Sequence, residues 1–381
     1  MKITDLKLTE TYYIPCEPQQ DAITTVPGVY PITFCQVFTD EGLTGLVPAP
    51  PGNLAKAIIE EGIKPYVIGE NPLHHERIWS RMYWGMLVSG RRGAVVNAIG
   101  VVDCAIWDLK GRITGQPLHR LLGGFQDAAN SYYSGINLNL GNEELVAQAR
   151  AAVAQGFRMF KMKIGHRDPE VDLERVRLVR EAIGPKVHLS LDVNNGWSVG
   201  AAMDLARKFE PFDIYWLEEP ILADEISNFA RLAERTSIPI AAGENHYTKW
   251  EFKELLEKGG VRIVQADVVR CGGLTEFLKI AALADAYGLP VCPHNSPLTD
   301  VPVVAALPNG LFHEHVEEMS ASIGRMVKDR ASPERGMVVP LDKPGFGIEL
   351  DPAAVELYRN KPVQRETRRT TVRGWRWPPY L

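Results

Sequence analysis

Three acidic residues occur at regular spacing in the middle of the chain. Asp192, Glu218 and Glu244 are 26 residues apart, and each follows a short apolar run of the kind that forms a buried strand. A single acid at a strand end usually caps a helix or pairs with a cation. Three carboxylates that meet in one pocket repel one another and would protonate without a cation. Oxygen ligands suit Mg²⁺, which keeps open positions for a substrate carboxylate, so the spacing predicts a magnesium site.

Amine and imidazole side chains flank these acids in sequence. Lys161 and Lys163 are one residue apart, so the strand period directs both to the same side. Two like charges near a divalent cation are expected to lower the pKa of one amine and make it a usable base. Asp267 and His294 end later runs, and a carboxylate on one imidazole nitrogen would raise the basicity of the other. A solvated strand edge and a core histidine are the alternatives, but together these residues predict two proton-transfer groups.

Such a site would remove a proton from the carbon next to a carboxylate. That proton is very weakly acidic, and its loss places two negative charges on the resulting enediolate. Mg²⁺ bound to the carboxylate oxygens would stabilise those charges. Lys161 and Glu314 are placed to add an ammonium contact and a hydrogen bond, although the same segment, HEHVEE, also offers Glu317 and Glu318.

The elements that must position these side chains follow from the apolar pattern. From about Ser131, eight short apolar runs alternate with amphipathic helical segments, which predicts a parallel sheet closed into a (β/α)8 barrel. The candidate residues from Lys163 to Glu314 recur at steps of 29, 26, 26, 23, 27 and 20 residues, one β/α unit each. Strand ends therefore bring them to one mouth. The eight runs are SYYSGIN, FRMFKMKIG, VHLSLDVNN, IYWLEEP, IPIAAGEN, VRIVQADVV, LPVCPHNS and NGLFHEHVE.

An α+β region precedes the barrel. The segment PITFCQVFTDEGLTGL predicts two strands that turn at residues 40–42, and residues 94–124 have helical spacing and end at two glycines. Residues 16–31 are a long polar stretch with three prolines, which favours an active-site flap. We expect an α+β capping domain with this flap at 1–125, the catalytic barrel at 126–325, and a C-terminal segment at 326–381 that returns to the cap.

Composition limits the class of partner. The 381 residues are 45% hydrophobic and 23% charged, with a net charge of -5, which is typical of a globular protein that binds a small molecule. No run of apolar residues is long enough to span a bilayer, residues 1–10 lack the apolar stretch typical of a signal peptide, and the five cysteines include no C-x-x-C pair. We expect a cytoplasmic homo-oligomer that binds no membrane and no nucleic acid. The Arg- and Trp-rich tail at 364–381 could stack on single-stranded nucleic acid, but a solvated or subunit-contacting tail is the favoured interpretation.

The motifs resemble those of the enolase superfamily over residues 1–355, and the K-x-K pair with a later histidine looks like its mandelate racemase subgroup. The resemblance implies an enolase-like modified barrel. It also implies Asp192, Glu218 and Glu244 as Mg²⁺ ligands, with Glu219 supporting them. It further implies Lys163 and His294 as bases on opposite faces, Asp267 as the partner of His294, and Glu314 as a contact of the substrate carboxylate. The matching motifs are AIWDLKGRITGQPLHRLLGG, FKMKIG, DVNN, WLEEP, GEN, QAD before CGG, and PHNS.

The resemblance implies an acid-sugar dehydratase, in which a base removes the α proton and an acid assists departure of the β hydroxyl to give a 2-keto-3-deoxy acid. The alternative within the family is a racemase or epimerase of an α-substituted carboxylic acid, either a hydroxy acid or an amino-acid derivative, that uses the same two bases. Two other classes are a metal-dependent hydrolase, for which His313-x-His315 is the one H-x-H pair in the chain, and a non-catalytic sugar-acid binder.

Overall fold

The computed structural model describes residues 1–296 and 298–359, and the backbone of 370–371. The chain begins with an antiparallel sheet in which the fifth strand is the longest. The first two strands pair with successive parts of the fifth, and the sixth pairs with its middle. The third and fourth form a small hairpin within residues 16–31, which we call the flap. The strands are β1 (Ile3–Leu8), β2 (Tyr12–Pro15), β3 (Gln19–Gln20), β4 (Thr24–Val26), β5 (Val29–Thr39) and β6 (Thr44–Ala49).

Helices complete the cap and hold it against the barrel. The longest has a glycine, Gly100, where a Cβ atom would lie 1.8 Å from the carbonyl oxygen of Val269, so a larger residue could not approach this closely. Three residues later, the Asp103 carboxylate accepts hydrogen bonds from the backbone N–H and the hydroxyl of Thr275 at 2.8 and 2.6 Å. The cap helix is thereby fixed to the loop that follows Asp267. The helices are α1 (Asn53–Lys56), α2 (Lys64–Val67), α3 (His75–Met86), α4 (Ala94–Thr114) and α5 (Leu118–Leu121), with a π-helical turn at Ala57–Ile63 between the first two.

The barrel forms as the alternating pattern predicts, with one correction. Seven parallel strands are regular, and they follow the order β12-β11-β10-β9-β8-β7-β13. The run LPVCPHNS is only a series of isolated bridges, because Pro290 and Pro293 have no backbone N–H to donate. It still closes the ring, since Cys292 N–H donates to Val264 and Leu311 N–H donates to Val291. The strands are β7 (Ala129–Ser134), β8 (Met159–Lys163), β9 (His188–Asp192), β10 (Ile214–Glu218), β11 (Ile240–Ala242), β12 (Val261–Val264) and β13 (His313–Val316).

Amphipathic helices cover the outside of the barrel, each with an apolar face on the strands. Local sequence marks where they begin: the side chains of Asp168 and Ser198 accept hydrogen bonds from the first turns of the second and third of these helices. The helices are α6 (Asn142–Ala154), α7 (Pro169–Ile183), α8 (Val199–Phe209), α9 (Ile226–Ala233), α10 (Thr248–Lys258), α11 (Leu274–Ala286), α12 (Val301–Ala306) and α13 (Glu317–Gly324).

The barrel interior has two layers. The lower layer is an apolar cluster that contains Tyr132, Met159 and Trp216, all buried. The two-residue period of a strand places Lys161 and Lys163 above Met159, and Glu218 above Trp216. The charged side chains therefore lie on a buried apolar layer, where electrostatic interactions are stronger than in water.

After the barrel the chain runs back along the cap. Gly345 exchanges backbone hydrogen bonds with Gln116 and Leu118 at 3.0 and 2.9 Å, and Asp108 accepts from the Phe346 N–H at 2.8 Å. The domain limits 1–125, 126–325 and 326–381 stay a prediction that these contacts support. The remaining elements are β14 (Met337–Val338), α14 (Pro352–Tyr358) and β15 (Thr370–Thr371), the last paired with β4. Apart from that strand, the basic tail lies outside the described residues, among which no helix is long and apolar enough to cross a membrane.

Candidate active site

Asp192, Glu218 and Glu244 come together at one end of the barrel. One carboxylate oxygen of each lies within 4.8 Å of the others, and all three residues are buried. Asp192 and Glu218 are the last residues of their strands, and Glu244 lies two residues beyond β11. Gly243 makes that position possible: its φ is 147°, and a Cβ atom there would lie 2.7 Å from the backbone of Gln265. The donor set, three buried carboxylates and no nitrogen or sulfur, fits Mg²⁺.

Two neutral donors hold Glu218 in place. Its Oε2 atom accepts from the indole N–H of Trp216 at 2.9 Å and from the Gln265 amide at 2.7 Å. Neither residue is among the side chains predicted from the sequence to act in the site. A signal was present, because Trp216 precedes Glu218 by two residues and so lies on the same strand face. Such donors orient a metal ligand before the metal arrives.

The lysine pair faces the triad. The Lys161 ammonium, fully buried, lies 2.5 Å from Glu218, 2.6 Å from Glu314 and 3.3 Å from Asp192. Lys163 contacts Asp192. Burial lowers the pKa of each lysine, but the facing carboxylates outweigh burial and raise both values above the ordinary one. The predicted lowering of one lysine pKa depends on a divalent cation beside the pair and stays a prediction. Among these side chains by themselves, the acids outnumber the amines.

On the other side of the triad, His294 and Asp267 form a dyad. The Nδ1 atom of His294 lies 2.9 Å from Asp267, and its Nε2 atom lies 3.3 Å from Glu244. Ser296 and the backbone N–H groups of 269 and 270 each donate to the second oxygen of Asp267 at 2.8 Å. Burial lowers the pKa of His294, but the Glu244 carboxylate and the hydrogen bond to Asp267 raise it, so that the pKa lies above its ordinary value. The imidazole is thus held in one orientation, with Nε2 toward the triad.

Glu314, rather than its neighbours, lies among the site side chains. Its carboxylate contacts Lys161 and accepts the Asn295 N–H at 2.8 Å. Glu317 pairs with His315 at 2.7 Å on the opposite face of the strand. His313 also points away from the triad and is bonded to Ser131 at 2.9 Å. Among the described residues the triad is the one group that could hold a metal through three or more such ligands, which argues against a hydrolase built on His313 and His315.

Glu219 connects the loops that carry the three acids. It accepts hydrogen bonds from the Asn195 amide at 2.5 Å and from the Asn245 amide at 2.9 Å. Asn195 follows Asp192 by three residues, and Asn245 directly follows Glu244. One buried carboxyl group therefore fixes the spacing of the loops after β9, β10 and β11.

Removing the Glu219 side chain should weaken metal binding without removing a ligand. We expect Glu219→Ala to lower Mg²⁺ affinity by about 10- to 100-fold, the usual effect of losing a residue that orients metal ligands. Glu219→Gln keeps one acceptor oxygen and should lose less. Isothermal titration with Mg²⁺ measures both, and equal affinities for Glu219→Ala and the wild type would contradict the role.

The flap lies on the barrel beside Lys163. The Leu138 N–H donates to the Gln20 carbonyl oxygen at 2.9 Å. At the flap tip, Asp21 accepts the backbone N–H groups of Ile23 and Thr24 at 2.8 and 2.6 Å. Burial raises the pKa of Asp21, and the positive charge of Lys163 opposes that rise. The flap thus brings a carboxylate to the lysine side of the site.

A cavity of about 380 Å³ adjoins His294 on the other side. We call it the cap cavity. Its volume lies within the range of small-molecule sites. Its walls are residues 30–32, 48–51 and Asn97 from the cap, residues 267, 269–270, 294–296 and 299 from the barrel, and Met319 and Ile323 of α13.

Family models match both parts of the chain. Residues 5–123 match the mandelate racemase / muconate lactonizing enzyme N-terminal domain, and residues 144–354 match the enolase C-terminal domain-like family.

Individual relatives are similar over most of their length. The chain is 31% identical to arabinonate dehydratase of Saccharolobus solfataricus, over 94% of this chain and all of that protein. It is 33% identical to 3,6-anhydro-alpha-L-galactonate cycloisomerase of Streptomyces coelicolor, over 79% of this chain and 82% of the relative. Among solved structures, a racemase from Streptomyces coelicolor A3(2) with bound magnesium aligns with a TM-score of 0.88 at 30% identity, covering 93% of this chain and 99% of that one.

Proposed function

Since this chain belongs to the enolase superfamily, in the mandelate racemase / muconate lactonizing enzyme family, we propose that it is a Mg²⁺-dependent acid-sugar dehydratase. It would remove the proton α to the carboxylate of a sugar acid and eliminate the β hydroxyl as water, giving a 2-keto-3-deoxy acid. The similarity to arabinonate dehydratase over almost the whole chain supports this reaction class.

The observation that carries the proposal is the position of two proton-transfer groups at opposite ends of the carboxylate triad. Lys163 contacts Asp192 at one end, and the Nε2 atom of His294 lies 3.3 Å from Glu244 at the other. A substrate carbon held at the triad would have one group on each side. Elimination needs that pair, because one group takes a proton and another gives one.

Asp192, Glu218 and Glu244 would hold the Mg²⁺ ion. When bound, the ion would supply positive charge that stabilises the substrate carboxylate as its α proton leaves. The same charge would offset the negative charge of the carboxylates that raise the pKa of Lys163.

Lys161 and Glu314 would hold the substrate carboxylate. Glu218, Glu314 and Asp192 raise the pKa of Lys161 against the effect of burial, and Glu314, which is not one of the three metal ligands, would keep the ammonium paired when the ion is bound. Burial raises the pKa of Glu314, but Lys161 and His294 hold it below its usual range, so this group is ionised before substrate binds. A substrate carboxylate beside it would raise its pKa again, so that Glu314 binds the substrate as a neutral hydrogen-bond donor.

Lys163 would take the α proton as the amine, and the electron pair of the broken C–H bond would pass to the carboxylate and then form the C=C bond. His294 would donate its Nε2 proton to the β hydroxyl as the C–O bond breaks, releasing water. Asp267 keeps the imidazolium oriented and stabilises its charge. The enol product then becomes the 2-keto acid.

A panel of hexonates, pentonates and aldarates tests the reaction. With Mg²⁺ present, we expect at least one acid to yield a 2-keto acid in a semicarbazide assay. No product from any of them, with Mg²⁺ binding intact, would reject the dehydratase.

A racemase or epimerase is the second candidate, because the same two groups could exchange the α proton from opposite faces. The similarity to a solved racemase supports it. In heavy water this activity would give deuterium at the α carbon without net elimination.

The homo-oligomeric state and cytoplasmic location stay predictions from the sequence.

A further inference from the structure

The cap side of the cap cavity is poor in backbone N–H donors. Of its seven residues at 30–32 and 48–51, four are prolines, which have no backbone N–H. Ile32 and Ala49 add apolar side chains, and both lie within paired strands. Met319 and Ile323 extend the apolar surface from α13. A carboxylate pressed against this wall would lose its water and find few N–H donors, whereas a methyl group would contact apolar surface.

Charge in the cap cavity is concentrated near the triad. Among the described residues that line it, the ionisable groups are Asp267, Arg270 and His294, with Tyr30 the one phenol. Arg270 is 3.4 Å from Glu244 and 3.6 Å from Asp267, so its charge is already balanced by two carboxylates. A second carboxylate at the far end of a substrate would therefore lie against prolines, away from Arg270 and His294.

Two polar side chains line the cap side, those of Tyr30 and Asn97. The side-chain oxygen of Asn97 is buried and has no hydrogen-bond partner among the described residues. It could accept a single hydroxyl from the middle of a substrate. The other cap residues that line the cavity, at 31–32 and 48–51, have apolar side chains.

Resting on the proposed function, we infer that the substrate is a monocarboxylic sugar acid whose far end is uncharged and poor in hydroxyl groups, such as a 6-deoxy sugar acid. The carboxylate would lie at the triad, the α and β carbons between Lys163 and His294, and the terminal carbon against Pro48–Pro51. Sugar diacids would be excluded by the same wall.

Matched substrates test this directly on the wild-type enzyme with Mg²⁺. Each set contains three acids of one configuration that differ only at the sixth carbon, which is CH₃, CH₂OH or COO⁻. One set is prepared for each of the galacto, manno and gluco series, in both D and L forms. In the reactive series, kcat/KM for the methyl acid should exceed that for the hydroxymethyl acid by about tenfold and that for the diacid by about a hundredfold or more. A diacid or hydroxymethyl acid used as well as the methyl acid would overturn the inference.

A variant pair on the cavity wall gives a second readout. Met319→Arg places a cation against the far end and should reduce the preference for methyl acid over diacid by at least about tenfold, whereas Met319→Leu should keep it. An unchanged preference in a folded Met319→Arg enzyme would count against the assigned wall.

Binding separates this inference from the proposed reaction. Titrating the same acids into the Mg²⁺-loaded Lys163→Ala protein measures affinity without turnover. If no acid yields a 2-keto product, the dehydratase proposal fails, and the order of affinities still decides the inference. Tightest binding of the methyl acid supports it, and equal or tighter binding of the hydroxymethyl acid or the diacid rejects it.

Discussion

Lys163→Ala is expected to lower kcat by about 10²- to 10⁴-fold, the usual contribution of a positioned acid–base group. Lys161 could not replace the missing amine, because it is fully buried and held by three carboxylates. Exchange of the α proton in heavy water should fall by the same factor, since the variant lacks the group that takes that proton. Steady-state kinetics and NMR measure the two losses.

The effect of losing the Lys163 amine must be distinguished from a general loss of structure in the variant. Mg²⁺ affinity of Lys163→Ala should stay within a few-fold of the wild type, because no ligand is removed. Lys208→Ala is a suitable control, since Lys208 is exposed and forms a surface ion pair with Glu170. A Lys163→Ala enzyme with nearly full kcat would show that another residue takes the proton.

The sequence was sufficient to predict the residues that face the site because strand geometry is simple. A parallel strand ends at the barrel mouth, so Asp192 and Glu218, which close their strands, had to meet. The two-residue period placed Lys161 and Lys163 together. The (β/α)8 fold with an α+β cap is confirmed for the same reason, since alternating apolar runs and helices have few other solutions.

The features of the site that could not be predicted from the sequence depend on contacts between distant segments. The pKa of Lys163 follows from how many carboxylates lie near it in space, and spacing along the chain cannot count them. Glu219 joins loops that are neighbours only in the folded barrel. The cap cavity combines Pro48–Pro51 with Met319, about 270 residues later. Spacing alone also left open whether Glu314 or Glu317 faces the site.

Removing Mg²⁺ is expected to abolish turnover. The affinity of the protein for Mg²⁺ should depend steeply on pH. Burial, with the charge of Asp192, raises the pKa of Glu218 to about 8. Below that pH, Glu218 must lose a proton before it can bind the ion, so affinity should rise by up to about tenfold per pH unit from pH 6 to 8 and then level off. Bound at a hundred times its Kd, the ion should add about 2.7 kcal/mol to the free energy of unfolding.

Two variants distinguish this site from nonspecific binding. Glu218→Gln removes one ligand charge and the titrating group, so it should lose both the activity and the pH dependence of Mg²⁺ affinity. Glu254→Gln, on an exposed helix surface where Glu254 pairs with Lys258, should change neither. Activity that persists in excess chelator, or Mg²⁺ affinity that is the same at pH 6 and pH 8, would mean that the three carboxylates do not hold the catalytic ion, because a protonated Glu218 cannot bind it without releasing its proton.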